Sequence, residues 1–216
     1  MKKLLKKELS LCVHPAAIIM LSLAALALVP NYPYAVTFFY STLGLFFICI
    51  DGRENHDVIY TLTLPVAKRD VVTARFSLAM LLECVLILLM LGVVRISRAI
   101  GAGPNAAGMD ANLALIGEGF LFFGLYHLIF FPSYYRDVSK VGINFVKGSV
   151  FAAAFVIAEI VACYTLPLFR DVLDTPDPQH TGAKLGFLAV GLAVYVLGSF
   201  LALRISQRRF EKQDIR

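Results

Sequence analysis

The chain alternates long apolar segments with short polar ones along its whole length. A helix that crosses a bilayer needs about 20 mostly apolar residues, and about 17 are tolerated. Six segments come near that length, and the polar segments between them are too short to form a separate folded domain. The pattern predicts an all-α membrane protein, a single transmembrane domain over residues 1–216, with spans at 11–29, 34–50, 76–94, 112–132, 149–169 and 185–203.

Composition supports this interpretation. Apolar residues make up 59% of the 216 residues, charged residues make up 16%, and the mean hydropathy is +0.76, which is outside the range of soluble proteins. The opening MKKLLKK and the apolar run after it resemble a secretory signal. No small-residue cleavage site follows, and PNYP turns the chain directly into the second apolar segment. We therefore expect a first span, which is long enough only if residues 11–14 belong to it.

Basic residues predict the orientation, because Lys and Arg in short loops are retained on the cytoplasmic side. The predicted outer loops hold only Arg95, Arg98, Arg170 and Lys184 of the 20 basic residues, and the others, including Arg216, lie in predicted inner segments. We therefore expect a multi-pass protein of the cell membrane with both termini in the cytoplasm. The net charge of +5 is then a topology signal, and its dispersal argues against a nucleic-acid partner.

The first twelve residues predict a helix that lies along the inner membrane surface. An apolar stripe is flanked by lysines, which would sit near the head groups of membrane lipids. The alternative is a frayed basic tail that serves only topology. The stripe is Met1, Leu5, Leu9 and Cys12, and the lysines are Lys2, Lys3, Lys6 and Lys7.

The polar segment RENHDVIYTLTLPVAKRDVVTARF, residues 53–76, predicts a short helix between the second and third spans. Asn55 and Asp57 are suitable N-caps for it, and Pro65 ends it by keeping Leu64 out of helical geometry. Asp70 is placed to cap the helix that continues into the third span.

A helix of two turns is unstable alone in water and cannot cross a membrane, so a partner should dock onto it. Val58, Ile59 and Leu62 share one face and would fill a groove on that partner. The alternative is a solvated loop that only anchors topology. The charged rim of the docking face would consist of Glu54, Asp57, Lys68, Arg69 and Asp70.

This arrangement resembles the permease subunits of ABC-type exporters, specifically the small six-helix ABC-2 type permeases that carry no ATPase of their own. In that family the loop after the second helix holds a short apolar helix ending in SLPVSR, followed by an acidic and a basic residue. TLPVAKRD, Thr63 to Asp70, takes that place, with Arg75 beyond it. Thr63 and Ala67 replace the two serines, and Lys68 is extra.

A second, weaker resemblance lies between the fourth and fifth spans. FPSYYRDVSKVGINFVKG, residues 131–148, matches the family's proline, aromatic and basic run, glycine and lysine through Pro132, Tyr135, Arg136, Gly142 and Lys147. The resemblance implies a transport subunit that is not itself an enzyme and binds no cofactor. ABC ATPase subunits that hold ATP and Mg would drive it through the short helix, and a second permease copy or paralogue would complete a dimer.

No nucleotide, metal or disulfide motif contradicts this expectation. GINFVKGS, residues 142–149, inverts the glycine–lysine order of a phosphate-binding loop and follows no predicted strand. ENHD, residues 54–57, lacks the second histidine of a zinc peptidase helix. The four cysteines show no C-x-x-C spacing and are expected to be reduced, buried and hydrophobic in character; they are Cys12, Cys49, Cys84 and Cys163.

Four acidic or histidine residues lie in the interior of the predicted spans, away from their ends, where such groups are costly and suggest function. Helical rise places Glu83 roughly 10 Å from the inner end of its span, near the level of His127. Glu118 and Glu159 fall together nearer the outer side. Each is either a satisfied interhelical hydrogen-bonding group or part of a pathway for a cationic or amphipathic cargo.

Small residues predict close packing of the last two spans, because spans associate through close backbone approach. These residues are Ala152, Ala153, Ala154, Ala158, Ala162, Gly186, Gly191 and Gly198.

The leading interpretation of the whole sequence is the transmembrane subunit of an ATP-driven exporter of an amphipathic substrate, such as a drug or a cationic, cytolytic or antimicrobial peptide. The alternative is a secondary transporter or channel that uses the membrane carboxylates without an ATPase, although the halves show no convincing internal repeat.

Overall fold

The computed structural model describes residues 2–29, 31–101 and 104–213, without the side chain of Arg98. Met1, Arg216 and the Arg98 side chain, which enter the predictions above, lie outside this part. The described chain is helical and contains no strand. Its helices are α1 (Lys2–Cys12), α2 (Pro15–Leu28), α3 (Val36–Glu54), α4 (Asp57–Leu62), α5 (Lys68–Ala99), α6 (Leu113–Tyr134), α7 (Val141–Thr165) and α8 (Thr181–Glu211), with a short π-helix at Phe169–Leu173.

The fold is that of a multi-pass membrane protein. Within the described residues, α3, α5, α6, α7 and α8 are long and apolar enough to cross a bilayer. The pair α1 and α2, which meet at an angle of 82°, adds a sixth span if the two helices are counted as one bent span. The predicted all-α membrane class is confirmed, and six is the upper number of spans.

The first span departs most from its predicted bounds. Leu11 and Cys12 belong to α1, so residues 11–14 extend the first span only if α1 and α2 are counted as one bent span. Pro15 begins α2, as proline favours a first helical position, and Nδ1 of His14 accepts the N–H of Ala16 at 3.1 Å. The eight α-helical residues and six 3-10 residues of α2 rise about 24 Å together, whereas the hydrocarbon core is about 30 Å thick.

The fifth predicted span is displaced toward the N-terminus. The prediction was 149–169, whereas α7 runs from Val141 to Thr165. Leu166 is extended, with φ −94° and ψ 119°, because it precedes Pro167 and the proline ring disfavours helical geometry there.

Helices α6 and α8 make the closest interhelical packing described. Their glycines face each other: a Cβ on Gly191 would lie 2.1 Å from the carbonyl oxygen of Gly117, and one on Gly198 would lie 2.5 Å from that of Gly124. Two of the three predicted packing glycines therefore act as expected, whereas Gly186 borders open space. In α7 only Ala152 of the predicted alanines is buried.

The connecting segments gather at two ends of the bundle, which we call the inner and outer ends. The inner end holds α1, α4, the start of α5, residues 135–140 and the end of α8. The outer end holds residues 31–35, 104–112 and 166–180. At the outer end, Nδ2 of Asn112 donates to the carbonyl oxygen of Leu173 at 2.7 Å. At the inner end, Nζ of Lys68 donates to the carbonyl oxygen of Gln213 at 2.6 Å, so the start of α5 and the end of α8 lie at the same end.

Helix α1 does not present the predicted stripe as one face. Leu4, Glu8 and Cys12 are buried against the protein, whereas Leu9 is 42% exposed and Leu11 is 74% exposed. Residues 8–12 form a π-helix, whose wider turn shifts the side-chain positions. Cys12 therefore leaves the predicted lipid-facing stripe, and a charged residue, Glu8, occupies the buried face.

Candidate functional site

Helix α4 lies at the inner end and begins differently from the prediction. Its N-cap is His56, in the left-handed conformation with φ 51°, so Asn55 and Asp57 are not the caps. Nδ2 of Asn55 donates instead to Oδ1 of Asp51 at 2.9 Å. Helix α4 ends at Leu62 with Thr63 as C-cap, ahead of Pro65, as the proline predicts.

Asp57 turns inward and joins a buried ion cluster, which we call the Arg75 cluster and which consists of Lys7, Glu8, Asp57 and Arg75. Nη2 of Arg75 lies 2.5 Å from Oδ2 of Asp57, and Nε of Arg75 pairs with Oε2 of Glu8. Lys7 pairs with both carboxylates. Glu8 is 2% exposed and Arg75 is 3% exposed. The cluster joins α1, α4 and α5, and its two positive charges balance its two negative charges.

The neighbouring cations favour the ionised form of Asp57. Burial alone would raise the pKa of Asp57, but Arg75 and Lys7 outweigh that effect, and the pKa lies below its ordinary value. Nη1 of Arg75 is buried without a partner among the described residues, and a Cβ on Gly52 would come within 3.2 Å of it. Glu8, Cys12 and Asp57 are close enough together to hold a metal ion, but the two carboxylates already bind Arg75 and Lys7, so the group is not a cation centre.

The apolar side chains of α4 divide between two faces. Val58 and Leu62 are half-buried and pack against the protein core, so they contact the chain's own helices, and their contact with a partner stays a prediction. Ile59 is 43% exposed, Tyr60 is 67% exposed, and Leu64 just beyond the helix is 45% exposed. A cavity of about 190 Å³ lies beside Ile59 and reaches Tyr134 and Val138. A second, of about 230 Å³, lies between Tyr60 and α1.

Some side chains of the predicted charged rim form ion pairs within the chain. Arg69 makes a two-point contact with Glu211 near the end of α8, and one of its bonds, Nη2 to Oε2, measures 3.0 Å. Helix α5 begins at Lys68, so Asp70 lies in its first turn and is not the cap. A carboxylate there still favours the helix through the positive end of the helix dipole. Glu54 is exposed and lies 3.4 Å from Arg53.

The inner pair of membrane residues forms a complete hydrogen-bond network. Nε2 of His127 lies 2.7 Å from Oε1 of Glu83, as the predicted depths suggested. Sequence reasoning missed two partners on α8: the hydroxyl of Tyr195 donates to Oε2 of Glu83 at 2.9 Å, and Ser199 lies 2.8 Å from Nδ1 of His127. Their i, i+4 spacing on one polar stripe of α8 was the available signal.

The outer pair, Glu118 and Glu159, is buried but incompletely bonded. Glu118 is 2% exposed and Glu159 is 6% exposed, and the Oε2 atom of each has no partner among the described residues. Oε1 of Glu159 accepts the N–H of Met109 at 2.5 Å. Glu159 and Asp174 both lie within electrostatic range of Glu118. The carboxyls are thus enclosed within the subunit and do not line an exposed face.

Two further outer-end groups were not singled out from the sequence. Lys184 is fully buried in the first turn of α8 and donates to the carbonyl oxygen of Thr175 at 2.5 Å and to Asp177 at 3.1 Å. Burial, together with Asp110 and Glu159, raises the pKa of Asp174 to about 7. Lys184 was assigned to an exposed loop, because its burial depends on contacts that are not visible in the local pattern.

The other sequence motifs have structural roles. GINFVKGS lies inside the continuous helix α7, so its backbone N–H groups are not arranged as a phosphate-binding loop. The cysteines are unpaired. Cys12, Cys49 and Cys163 are buried, as expected, whereas Cys84 is exposed on the outer surface of the bundle.

Comparison with known proteins identifies the family. Neither the curated proteins nor the solved structures yield a significant match. One family, described as "ABC-2 family transporter protein", matches residues 3–207, which include the Arg75 cluster, α4 and all four membrane ionisable residues. The chain therefore belongs to the ABC-2 family of transporter proteins and is a membrane-embedded transport subunit of an ABC-type transporter.

Proposed function

We propose that this chain is the permease of an ATP-driven exporter and that a separate ATPase docks on the exposed face of α4. The carrying observation is the division of α4 into two faces. Asp57, Val58 and Leu62 attach the helix to its own subunit, whereas Ile59 and Tyr60 remain exposed. An exposed apolar helix face at a polar end of the bundle fits the groove of a partner. ATP and Mg would be held by that partner.

The Arg75 cluster supports a route for motion from α4 into the spans. An ATPase that closes on ATP moves as a rigid body and displaces a helix held in its groove. Asp57 connects α4 to Arg75 on α5, and Arg75 connects in turn to Glu8 on α1. Because buried charges separate only at high energetic cost, the three helices would move as one unit.

Charge substitution on the exposed face tests the docking proposal. We expect Ile59→Asp and Tyr60→Asp to release the ATPase during co-purification, because each places a charge in an apolar groove. The matched controls Ile59→Leu and Tyr60→Phe keep the apolar contact and should retain it. The neighbouring Leu62 is unsuitable as a probe because it packs in the core. An ATPase that stays bound to both aspartate variants would reject the proposal.

We also propose that the inner end faces the cytoplasm of the cell. The distribution of lysine and arginine supports this orientation. Single cysteines at Asn55, Ser139 and Gln213, in a cysteine-free background, should be protected from an impermeant thiol reagent in intact cells. Cysteines at the exposed outer positions Ala106 and Gln179 should be labelled. The reverse labelling pattern would overturn the orientation.

A second permease copy or paralogue would complete the transport pathway. The exposed face of α7 supports a dimer, because it carries Ile143, Val150 and Ile157 at helical spacing beside small alanines.

We propose an amphipathic cargo, such as a drug or a cationic, cytolytic or antimicrobial peptide. Because Glu118 and Glu159 are enclosed within the subunit, a direct role for this outer pair in the pathway requires the outer end to open during transport.

A further inference from the structure

Carboxylates hold the outer segment 104–112 in place over α6 and α7. Oε1 of Glu159 accepts the N–H of Met109 at 2.5 Å, and Oδ1 of Asp174 accepts the N–H of Asp110 at 2.7 Å. Gly108 lies directly over Glu159: its φ is 138°, and a Cβ there would lie 2.8 Å from Oε1. The segment is therefore closed by backbone donors that converge on buried acids.

These acids carry more acceptors than the described surroundings can satisfy. Oε2 of Glu118 and Oε2 of Glu159 are buried without a hydrogen-bond donor in the described part of the chain. An ionised carboxylate offers only acceptors, and leaving one buried without a donor is costly. A protonated carboxyl supplies the missing O–H, and two carboxyls that share a site favour holding one proton.

The surrounding charges do not remove this imbalance. Lys184 directs its ammonium to Thr175 and Asp177. Both Asp110 and Asp174 have a pKa above the ordinary value, chiefly because they are buried. The titratable groups that face the pair are Cys163 on α7 and Asp174 after the π-helix. Asp110 in segment 104–112 and Lys184 on α8 face Asp174 in turn, and Tyr34 before α3 faces Asp110.

We propose that Glu118 and Glu159 form a proton-binding site whose occupancy closes segment 104–112 over the outer end of the bundle. The bound proton comes from the aqueous phase at that end and supplies the O–H donor that the buried oxygens lack. When it returns to water, two buried negative charges repel each other and the segment loosens. The site responds to outer pH independently of the ATPase, so this proposal and the docking proposal can fail separately.

Infrared spectroscopy of the purified full chain in nanodiscs detects the proton itself. A protonated carboxyl has a carbonyl stretching band that a carboxylate lacks. We expect this band near neutral pH in the unmodified protein and a loss of intensity in Glu118→Gln and Glu159→Gln, which keep the side-chain shape. The control Asp171→Asn removes an exposed outer carboxylate paired with Arg170 and should leave the band unchanged. A band that both glutamine variants retain in full would overturn the proposal.

Hydrogen exchange measures closure of the segment and does not depend on a variant that folds. After correction for intrinsic exchange, protection of the Met109 amide, which donates to Glu159, should fall as pH rises from about 6 to about 8, by up to about tenfold per pH unit for one linked proton. Glu118→Gln should keep the segment protected with a weaker pH dependence. Protection in the unmodified protein that does not change with pH, or an equal change in Glu118→Gln, would contradict the proposal.

Discussion

The two ends of the bundle bury carboxylates in opposite ways. At the inner end, Glu8 and Asp57 share a site with Arg75 and Lys7, so the charge of this cluster is balanced and both of its carboxylates have a cationic partner. At the outer end, Glu118 and Glu159 lie with Asp174, and both glutamates keep an unpartnered oxygen among the described residues. The balanced charges at the inner end suit a permanent connection between α1, α4 and α5. The outer arrangement suits a site that gains and loses a proton.

The largest effect is expected from removing the cation of the inner end. Arg75→Met leaves Glu8 and Asp57 buried with only Lys7 and should destabilise the protein by about 3–5 kcal/mol, because an uncompensated buried charge remains. Thermal unfolding in detergent measures the loss. The double variant that adds Glu8→Gln leaves Lys7 paired with Asp57, so no charge remains uncompensated, and it should recover much of the stability. If the Arg75→Met variant unfolds at the same temperature as the unmodified protein, the cluster does not hold α1, α4 and α5 together.

Neutralising a carboxylate of the inner pair and one of the outer pair should change the stability of the protein in opposite directions. Glu83→Gln replaces one acceptor oxygen in the network with His127 and Tyr195 by an amide group, which leaves a buried polar group without its partner and should cost about 1–3 kcal/mol. Glu118→Gln removes a buried acid without a described donor and should raise the unfolding temperature at alkaline pH. Both are measured by thermal unfolding under one set of conditions. Destabilisation by both changes would show that the carboxylates of the inner and outer pairs stabilise the fold in the same way.

The ends should also differ in the direction of their pH dependence. The pKa of Asp174 is raised from 3.8 to about 7, so the folded state binds more protons in that interval and its contribution to stability falls as pH rises through it. The pKa of Asp57 is lowered from 3.8, so its contribution is present above that value and is lost as pH falls below it. Asp174→Asn should flatten the unfolding-temperature profile between about pH 4 and 7, whereas Asp171→Asn should not.

The smallest effect is expected at the exposed contact between Arg69 and Glu211. Both side chains are solvated, and such pairs contribute little because water and salt screen them. Glu211→Gln should leave the unfolding temperature unchanged within error, in contrast to Arg75→Met. A clear loss of stability would mean that the end of α8 is also part of the connection between the helices at the inner end.

Some site residues could be predicted because their relation follows from depth along helices. Glu83 and His127 met as expected, because helical rise places residues on antiparallel helices at a calculable level. The docking face of α4 could not be predicted as reliably. Val58, Ile59, Tyr60 and Leu62 are all apolar or aromatic, so a two-turn helix offers two plausible faces. Contacts with the core select the buried one.

Residues far apart in the chain were the hardest to assign. Glu8 carried no local signal, yet it binds Arg75, 67 positions away. The same holds for Lys184, whose burial depends on segment 166–180 folding over it. Asp57 was placed on a solvated rim because it sits in a polar run, and only the approach of α5 and α1 turned it inward.

The sequence by itself determined that this is a helical membrane protein, roughly where its long spans lie and that glycines of α8 permit a close helix approach, whereas the choice of α6 as the partner came from the structure. These properties follow from apolar length and from side-chain size, which are local. Only the tertiary structure decided that α1 bends away from α2, that α4 exposes Ile59 and Tyr60, and which buried acids have partners. Those outcomes depend on which distant charges meet in a low-dielectric interior, where one cation more or less decides whether a carboxylate is ionised.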